Sequence, residues 1–304
     1  MNTLGFSIII PCFNAGKFLV EAIDSIVNQS FRYPYEIIIS DDGSRDSETL
    51  HALAHLEVRP LVKIIRSREN KGAQFARNAA IRIARFPFVF SIDADDKLNA
   101  DETILRDGTY PDIAIEILAS FPDIAFVHGT TLMFGDFSGL TISAYPISES
   151  LVLAKHHVQN SIVYRKEDAV GAGLYDEDIR KWQDWSFAVA LLNCRFKSGK
   201  KNKIYFIDRP FYLYRIYNDH KRVSSGEIDE KSMVKITVKR SPEIFRNHYK
   251  NLSDDEIADL VFESKPSKLN DLFYIAYYNL DRAIEIAKER GTVITWKNEP
   301  PGIP

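Results

Sequence analysis

Cysteine is nearly absent from this chain of 304 residues. Cys12 and Cys194 are the whole complement, too few for a disulfide framework or a four-cysteine zinc site. A metal would therefore need oxygen or imidazole ligands, and a reducing compartment is the simpler setting. Long apolar runs are lacking as well. The longest, Phe86 to Ile92 and Phe187 to Leu192, fall far short of the roughly 18 residues that cross a bilayer. The first apolar run, Phe6 to Ile10, is reached without a basic leader or a signal-peptide cleavage region, so a cytoplasmic protein is expected. Nor does one sign of charge prevail: 39 Lys and Arg stand against 42 Asp and Glu, which argues against a broadly basic nucleic-acid binder. A content of 45% apolar and 12% aromatic residues argues against disorder. There is no internal repeat and no low-complexity block. The absence of a Gly-x-Gly-x-x-Gly or Walker-type lysine loop weakens dinucleotide-redox and P-loop readings.

What is present is an alternation of short β-rich runs with amphipathic segments over the first hundred residues, the pattern of βαβ units and a mainly parallel sheet. Strands are expected at Phe6 to Ile10, Tyr35 to Ser40, Leu61 to Arg66 and Phe88 to Ile92, with helices starting near Gly16, Asp46 and Gly72. In the first helix Phe18, Ala22, Ile23, Ile26 and Val27 recur at helical spacing and face the sheet, while Lys17, Glu21 and Asp24 face water. From about Phe121 the pattern becomes α+β. Segments Ile124 to Met133 and Val158 to Arg165, a turn through Gly135 to Gly139, a helix from Lys181 to Cys194 and a strand from Ile204 to Tyr217 are expected. The remainder to Lys288 reads as helical, with Leu269, Leu272, Phe273, Ala276, Leu280, Ala283, Ile284 and Ala287 on one apolar face and a frayed tail beyond.

In an open α/β sheet, ligands bind outside the carboxyl ends of the strands, and polar clusters fall there. After the fourth strand comes Asp93-Ala94-Asp95-Asp96, three carboxylates within four residues whose mutual repulsion a hard cation such as magnesium or manganese would relieve. A capped, solvated turn is the alternative for such a cluster standing alone. Asp41-Asp42 after the second strand is placed to accept hydrogen bonds from a base or ribose, or to cap a turn. Asn70-Lys71-Gly72 opens a helix carrying Arg77, which suits a phosphate. Asp184 lies between Trp182 and Trp185 at a helix start. Apolar neighbours would raise its pKa towards that of a general base, although a helix cap is an equal use of the residue. Tyr214 to His220 ends a strand with an arginine and a histidine suited to phosphate or metal.

These pieces, in this order, resemble the family 2 glycosyltransferases. The resemblance is carried by Ser7 to Asn14, Glu36 to Ser44, Asn70-Lys71-Gly72 with Ala76-Arg77-Asn78, Ile92 to Asp96, and Asp184-Trp185, and it covers about residues 4 to 225. It implies an α/β GT-A fold, a Rossmann-like mixed sheet flanked by helices, over residues 1–225. Residues 1–120 would form the nucleotide-sugar-binding half, residues 121–225 the acceptor-binding half, and 226–304 a helical C-terminal extension. By the same resemblance Pro11, Phe13, Asn14, Asp42, Asn70, Gly72, Arg77 and Asp93 bind the donor, with Asp42 accepting from its base and Asp93 towards its ribose. Asp95 holds a divalent Mn or Mg ion, with Arg77 beside the leaving diphosphate, and Asp184 is the catalytic base of an inverting displacement. Three positions depart from the family pattern: Gln183 stands where Glu is usual, Ala100 where Pro is frequent, and Tyr217 where a strand-end histidine is common. His220 is therefore taken as the replacement metal ligand.

The implied partners are a nucleotide-sugar donor, UDP-sugar first, and a glycan or lipid-linked acceptor, in bacterial surface-polysaccharide synthesis. No nucleic acid and no transmembrane segment are expected. The C-terminal helices are left with three roles: a homodimer contact, peripheral contact at the inner face of the membrane, or a cover for the acceptor site. Two other readings stand beside the enzyme, a catalytically silent nucleotide-sugar or glycan-binding relative and a sugar nucleotidyltransferase. The second would want an Arg- and Lys-bearing glycine-rich loop after the first strand, which Cys12 to Lys17 does not supply.

Overall fold

The computed structural model describes residues 4–141, 144–154, 158–217, 228–264 and 268–290. Four parallel strands open the chain: β1 (Phe6–Cys12), β2 (Tyr35–Asp41), β3 (Val62–Arg66) and β4 (Phe88–Ser91). Helices α1 (Lys17–Val27), α2 (Ser47–Leu56) and α3 (Ala73–Ile83) connect them, as the alternating pattern predicts. The isoleucine runs alternate faces with the pleat. Ile8, Ile10, Ile37 and Ile39 share one buried cluster with α1 and α2, while Ile9 and Ile38 belong to the cluster on the opposite face with α3. Burial on both faces is why these strands read as continuous apolar runs.

The second half extends the same sheet. After β5 (Lys97–Leu98) come α4 (Glu102–Leu105), α5 (Tyr110–Ser120), β6 (Ile124–Gly135), β7 (Gly139–Leu140), α6 (Glu149–Ala154), β8 (Val163–Arg165), α7 (Lys166–Gly171), α8 (Gln183–Lys197) and β9 (Lys203–Ile216). The strand order is β3-β2-β1-β4-β8-β6-β9-β5, with β7 paired to β6. Strand β8 runs antiparallel to both β4 and β6, so the sheet is mixed. The strand expected over Val158 to Arg165 begins only at Val163, because Gln159 and Asn160 turn their side chains into polar contacts instead of pairing. Glu21 also departs from expectation: it pairs with Arg215 at 2.7 Å and Lys97 at 3.4 Å rather than facing water alone.

Five helices close the described chain: α9 (Glu230–Arg240), α10 (Pro242–His248), α11 (Asp254–Glu263), α12 (Lys268–Tyr278) and α13 (Leu280–Glu289). Val234, Val238, Phe245, Ile257 and Val261 share one buried cluster with Trp185 and Phe187 of α8. The apolar face expected from Leu269 to Ala287 is broken at Asn279, whose side chain caps α13 by accepting from the Arg282 amide. The break changes which residues point inwards. Leu272, Ala283 and Ala287 are buried as expected, Ile275 and Ile286 join them, and Phe273, Leu280 and Ile284 are exposed together with Tyr277 at 96%. Leu269 has no described side chain.

Candidate active site

The loops after β1 and β2 are fastened to one another before any ligand is considered. Asn14, at φ 49, accepts with Oδ1 from the Arg45 amide at 2.9 Å, while its own amide donates to the Ser44 hydroxyl at 2.9 Å. The Asp42 carboxylate, 2% exposed, accepts from the Lys71 amide at 3.0 Å and the Gly72 amide at 2.6 Å. It thereby ties the end of β2 to the entry of α3. Gly43 sits at φ +78, and a Cβ there would lie 2.8 Å from the Glu69 carbonyl carbon, so glycine is required where the two loops touch. In the same loops Phe13 is 47% exposed, Pro11 is half-buried and Asn70 is exposed. The loops after β1 and β2 and the entry to α3 thus meet, with Asp42 spending much of its accepting capacity on the loop itself.

Helix α3 is the second element that positions the site. Its residues Gln74, Arg77 and Asn78 are buried polar groups on the face turned towards the segment before α8. Gln74 donates to the Ile179 carbonyl. Asn78 donates to the Tyr175 carbonyl at 2.8 Å and accepts from the Tyr175 amide at 2.8 Å. Arg77, 2% exposed, donates through Nη2 to Asp93 Oδ1 at 2.7 Å and through Nη1 to Gln183 Oε1 at 3.0 Å, with its guanidinium 5.4 Å from the Tyr175 ring. Burial works against its charge, but Asp93 and Asp184 outweigh that and hold the group firmly cationic. Arg77 therefore joins the turn after β4 to the start of α8, lying deeper than a direct phosphate contact requires.

The three carboxylates after β4 do different work. Asp93 accepts on Oδ1 from Arg77 and, at 2.9 Å, from Asn160 Nδ2. Asp96 is locked structurally, accepting from the Tyr212 hydroxyl at 2.7 Å and the Arg215 amide at 2.8 Å, so β9 is bolted to the turn. Arg215 itself donates to the Asp95 carbonyl at 2.7 Å and lies between the Phe18 and Phe134 rings, at 4.5 and 4.4 Å. Burial first, then the Asp93 charge, raises the Asp95 pKa, and the Tyr217 phenol lies at its carboxylate. The structure thus brings Tyr217 to the place where the family pattern expects a histidine. His220, named as the replacement ligand, lies outside the described residues.

Asp184 occupies the first turn of α8. Burial, reinforced by the Asp93 charge and opposed by Arg77, raises its pKa to about 6, and its Oδ1 is buried with no hydrogen-bond partner among the described residues. The two tryptophans flanking this segment differ in conformation and contacts. Trp185 is fully buried and donates to the Val152 carbonyl at 2.8 Å, whereas Trp182 adopts the left-handed conformation at φ 62. That conformation costs a non-glycine residue about 1 kcal/mol or more. Aromatic contacts, worth about 0.5–1.5 kcal/mol each beyond area burial, offset it: Trp182 meets Trp185 edge-on at 5.8 Å and stacks on Phe262 at 6.4 Å. The strained residue fixes the direction in which Gln183 and Asp184 leave it.

Asn160 carries no motif that marks it in the sequence. Its one signal is the polar run Gln159-Asn160-Ser161 interrupting an apolar segment.

Residues 7–106 match the family described as Glycosyl transferase family 2. The chain is 40% identical over 96 residues to a chondroitin synthase of Escherichia coli, covering 31% of this chain and 14% of that protein. It is 27% identical over 208 residues to the amylovoran biosynthesis glycosyltransferase AmsB of Erwinia amylovora, covering 65% of this chain and 67% of that one. The fold resembles that of Staphylococcus aureus TarS 1–349 in complex with UDP-GlcNAc, with a TM-score of 0.64 and 19% identity over 91% of this chain and 74% of that chain. Against several curated relatives the chain spans between 10% and 34% of their length.

Proposed function

We propose that the chain, whose residues 7–106 match Glycosyl transferase family 2 and whose fold resembles that of TarS, is an inverting, divalent-cation-dependent GT-A enzyme moving one sugar from a nucleotide-sugar donor to an acceptor hydroxyl. A UDP-sugar is the first candidate donor, by analogy with the UDP-GlcNAc held by TarS. The proposed acceptor is a glycan or lipid-linked sugar in bacterial surface-polysaccharide synthesis, a setting in line with the amylovoran biosynthesis named for AmsB. The work would be done in the cytoplasm, at the inner face of the membrane. Among the described residues no helix is long and apolar enough to cross one.

The observation that carries the reading is Asp184. A carboxylate with a pKa of about 6 and one unpartnered oxygen, beside the Arg77–Asp93 pair at the carboxyl ends of parallel strands, has the properties of a base for a hydroxyl. Asp184 takes the proton of the acceptor hydroxyl as that oxygen bonds to the anomeric carbon. The bond from that carbon to the diphosphate breaks on the opposite side, its electron pair leaves with the nucleoside diphosphate, and one displacement inverts the centre. Arg77 keeps Asp184 ionised and holds Asp93 towards the donor.

The residues present fit a hard divalent cation. Asp93 and Asp96 accept from several protein donors, whereas half-buried Asp95 has the Tyr217 phenol at its carboxylate and a pKa raised chiefly by burial, a charge that a cation would relieve. Among the described residues no three His, Cys, Asp or Glu converge as a full cage. A magnesium-like ion would need only one or two carboxylates, its shell completed by water and substrate phosphates. When bound, the cation supplies charge neutralisation for the departing diphosphate.

A thermal-shift panel of UDP-, GDP-, CMP- and dTDP-sugars with and without manganese identifies the donor, and release of the matching nucleoside diphosphate tests transfer. Stabilisation by none of the four classes removes the donor reading. Asp95→Ala is expected to reduce UDP affinity in manganese to the metal-free level. Equal wild-type affinity for UDP with and without manganese, measured by calorimetry, would sink the cation assignment.

A further inference from the structure

Asn160 sits in the turn that precedes β8, and its surroundings hold it in one orientation. Gln159 donates through Nε2 to the Thr141 hydroxyl at 2.9 Å and accepts from the Thr131 hydroxyl, while the Ser161 carbonyl accepts from the Tyr110 hydroxyl at 2.7 Å. The residues on either side are thus anchored to β6 and α5. Asn160 Nδ2 donates to Asp93 Oδ1 at 2.9 Å. The carboxylate accepts only, so the opposite orientation of the amide would set oxygen against oxygen. Asp93 therefore decides which way the amide faces. The other end, Oδ1, is buried and has no hydrogen-bond partner among the described residues.

A buried carbonyl oxygen without a donor costs about 1–3 kcal/mol, and a structural turn has no reason to retain one. Asparagine is not needed merely to neutralise Asp93, since Arg77 already does so through a 2.7 Å ion pair. The unpartnered oxygens of Asn160 and Asp184 have a common feature: each belongs to a residue set against the Asp93–Arg77 pair. Asp184 approaches the pair from the first turn of α8, whereas Asn160 is bonded to the turn after β4.

We infer that Asn160 is a specificity-determining residue whose Oδ1 accepts a hydrogen bond from a hydroxyl of the donor's sugar, while its Nδ2 uses Asp93 as the fixed support. The inference rests on the nucleotide-sugar reading of the site. It deepens that reading by assigning the discrimination of the transferred sugar to a turn of the second half of the sheet, 67 residues beyond Asp93. The contact belongs to the sugar, so it contributes nothing to the nucleoside diphosphate alone.

The test measures the affinity of wild type and Asn160→Ala for UDP, UDP-glucose, UDP-galactose and UDP-N-acetylglucosamine by calorimetry, in manganese. Asn160→Ala is expected to bind UDP within twofold of wild type. It should lose about tenfold in affinity for the sugar nucleotide that wild type binds best, the loss expected for one hydrogen bond. A deoxy analogue of that sugar nucleotide should restore the balance: one deoxygenation weakens binding to wild type and leaves Asn160→Ala unaffected. Equal loss for UDP and for the sugar nucleotide would show that Asn160 acts only through Asp93 or the ribose, and no loss for either would show that it reads nothing. Both results overturn the inference. Wild type that binds none of the four ligands overturns the UDP-sugar assignment and the inference tested on it, whereas intact discrimination in Asn160→Ala overturns the inference alone.

Discussion

Asp184→Asn is expected to reduce kcat by about 10²- to 10⁴-fold, the range for losing a positioned general base, with nucleotide affinity nearly unchanged. Asparagine preserves the shape at the start of α8 and cannot take a proton. The same carboxylate gives a pH signature. With a pKa of about 6, Asp184 is protonated and idle at pH 5, so kcat/KM should rise with pH through an acid limb near 6 and level off above it. Wild-type turnover in Asp184→Asn refutes the assignment.

Stability should move in the opposite direction to activity. The folded pKa of Asp184 is raised from 3.8 to about 6, so the folded protein binds this proton more tightly than the unfolded chain does. Its favourable contribution is complete below pH 3.8 and is lost as pH rises through 6, on the order of 3 kcal/mol. Asp184→Asn carries no such loss and should melt several degrees higher than wild type at pH 7.5. That difference should shrink towards pH 4. A variant that melts lower at pH 7.5 would mean that Asp184 is a structural cap rather than a base kept at a cost in stability.

The parallel core was legible because its causes are local. Isoleucine runs covered on both faces, glycine and Asx residues at strand ends and three-to-four periodicity in α1 all act within one window of sequence. The polar rim was legible for the same reason, since βα loops put their side chains where ligands bind. The division of labour among Asp93, Asp95 and Asp96 was not, because it depends on Tyr212, Arg215 and Asn160, more than sixty residues away in sequence and brought alongside by β8 and β9. Trp182 gave no warning of its left-handed backbone, since its contacts with Trp185 and Phe262 form only once α8 and α11 are packed together. In α12 and α13 the periodic reading ran across Asn279 and assigned Phe273, Leu280 and Ile284 inwards. A cap signal in the middle of an apolar pattern carries less weight by eye than eight apolar residues, yet it reset the helical phase.

The other large effect is expected at Arg77. Arg77→Met keeps the approximate volume and apolar stem, and removes the cation between Asp93 and Asp184. Removing the buried guanidinium leaves the Asp184 carboxylate, whose Oδ1 is buried, and the partly exposed Asp93 without compensation, a cost bounded by the about 3–5 kcal/mol of a fully buried pair. Denaturant midpoints should therefore fall sharply. Activity should fall with a specific signature: without the cation that opposes its protonation, Asp184 should titrate above 6, so residual kcat/KM should climb at higher pH than in wild type. Arg77→Lys separates charge from geometry. A lysine restores a cation but cannot bond Asp93 and Gln183 together as the guanidinium fork does. It should return the acid limb towards 6 while leaving the entry to α8 loosened and kcat low. If Arg77→Met loses stability with the acid limb unmoved, Arg77 is a packing residue, and the charge on Asp184 must be governed by burial alone.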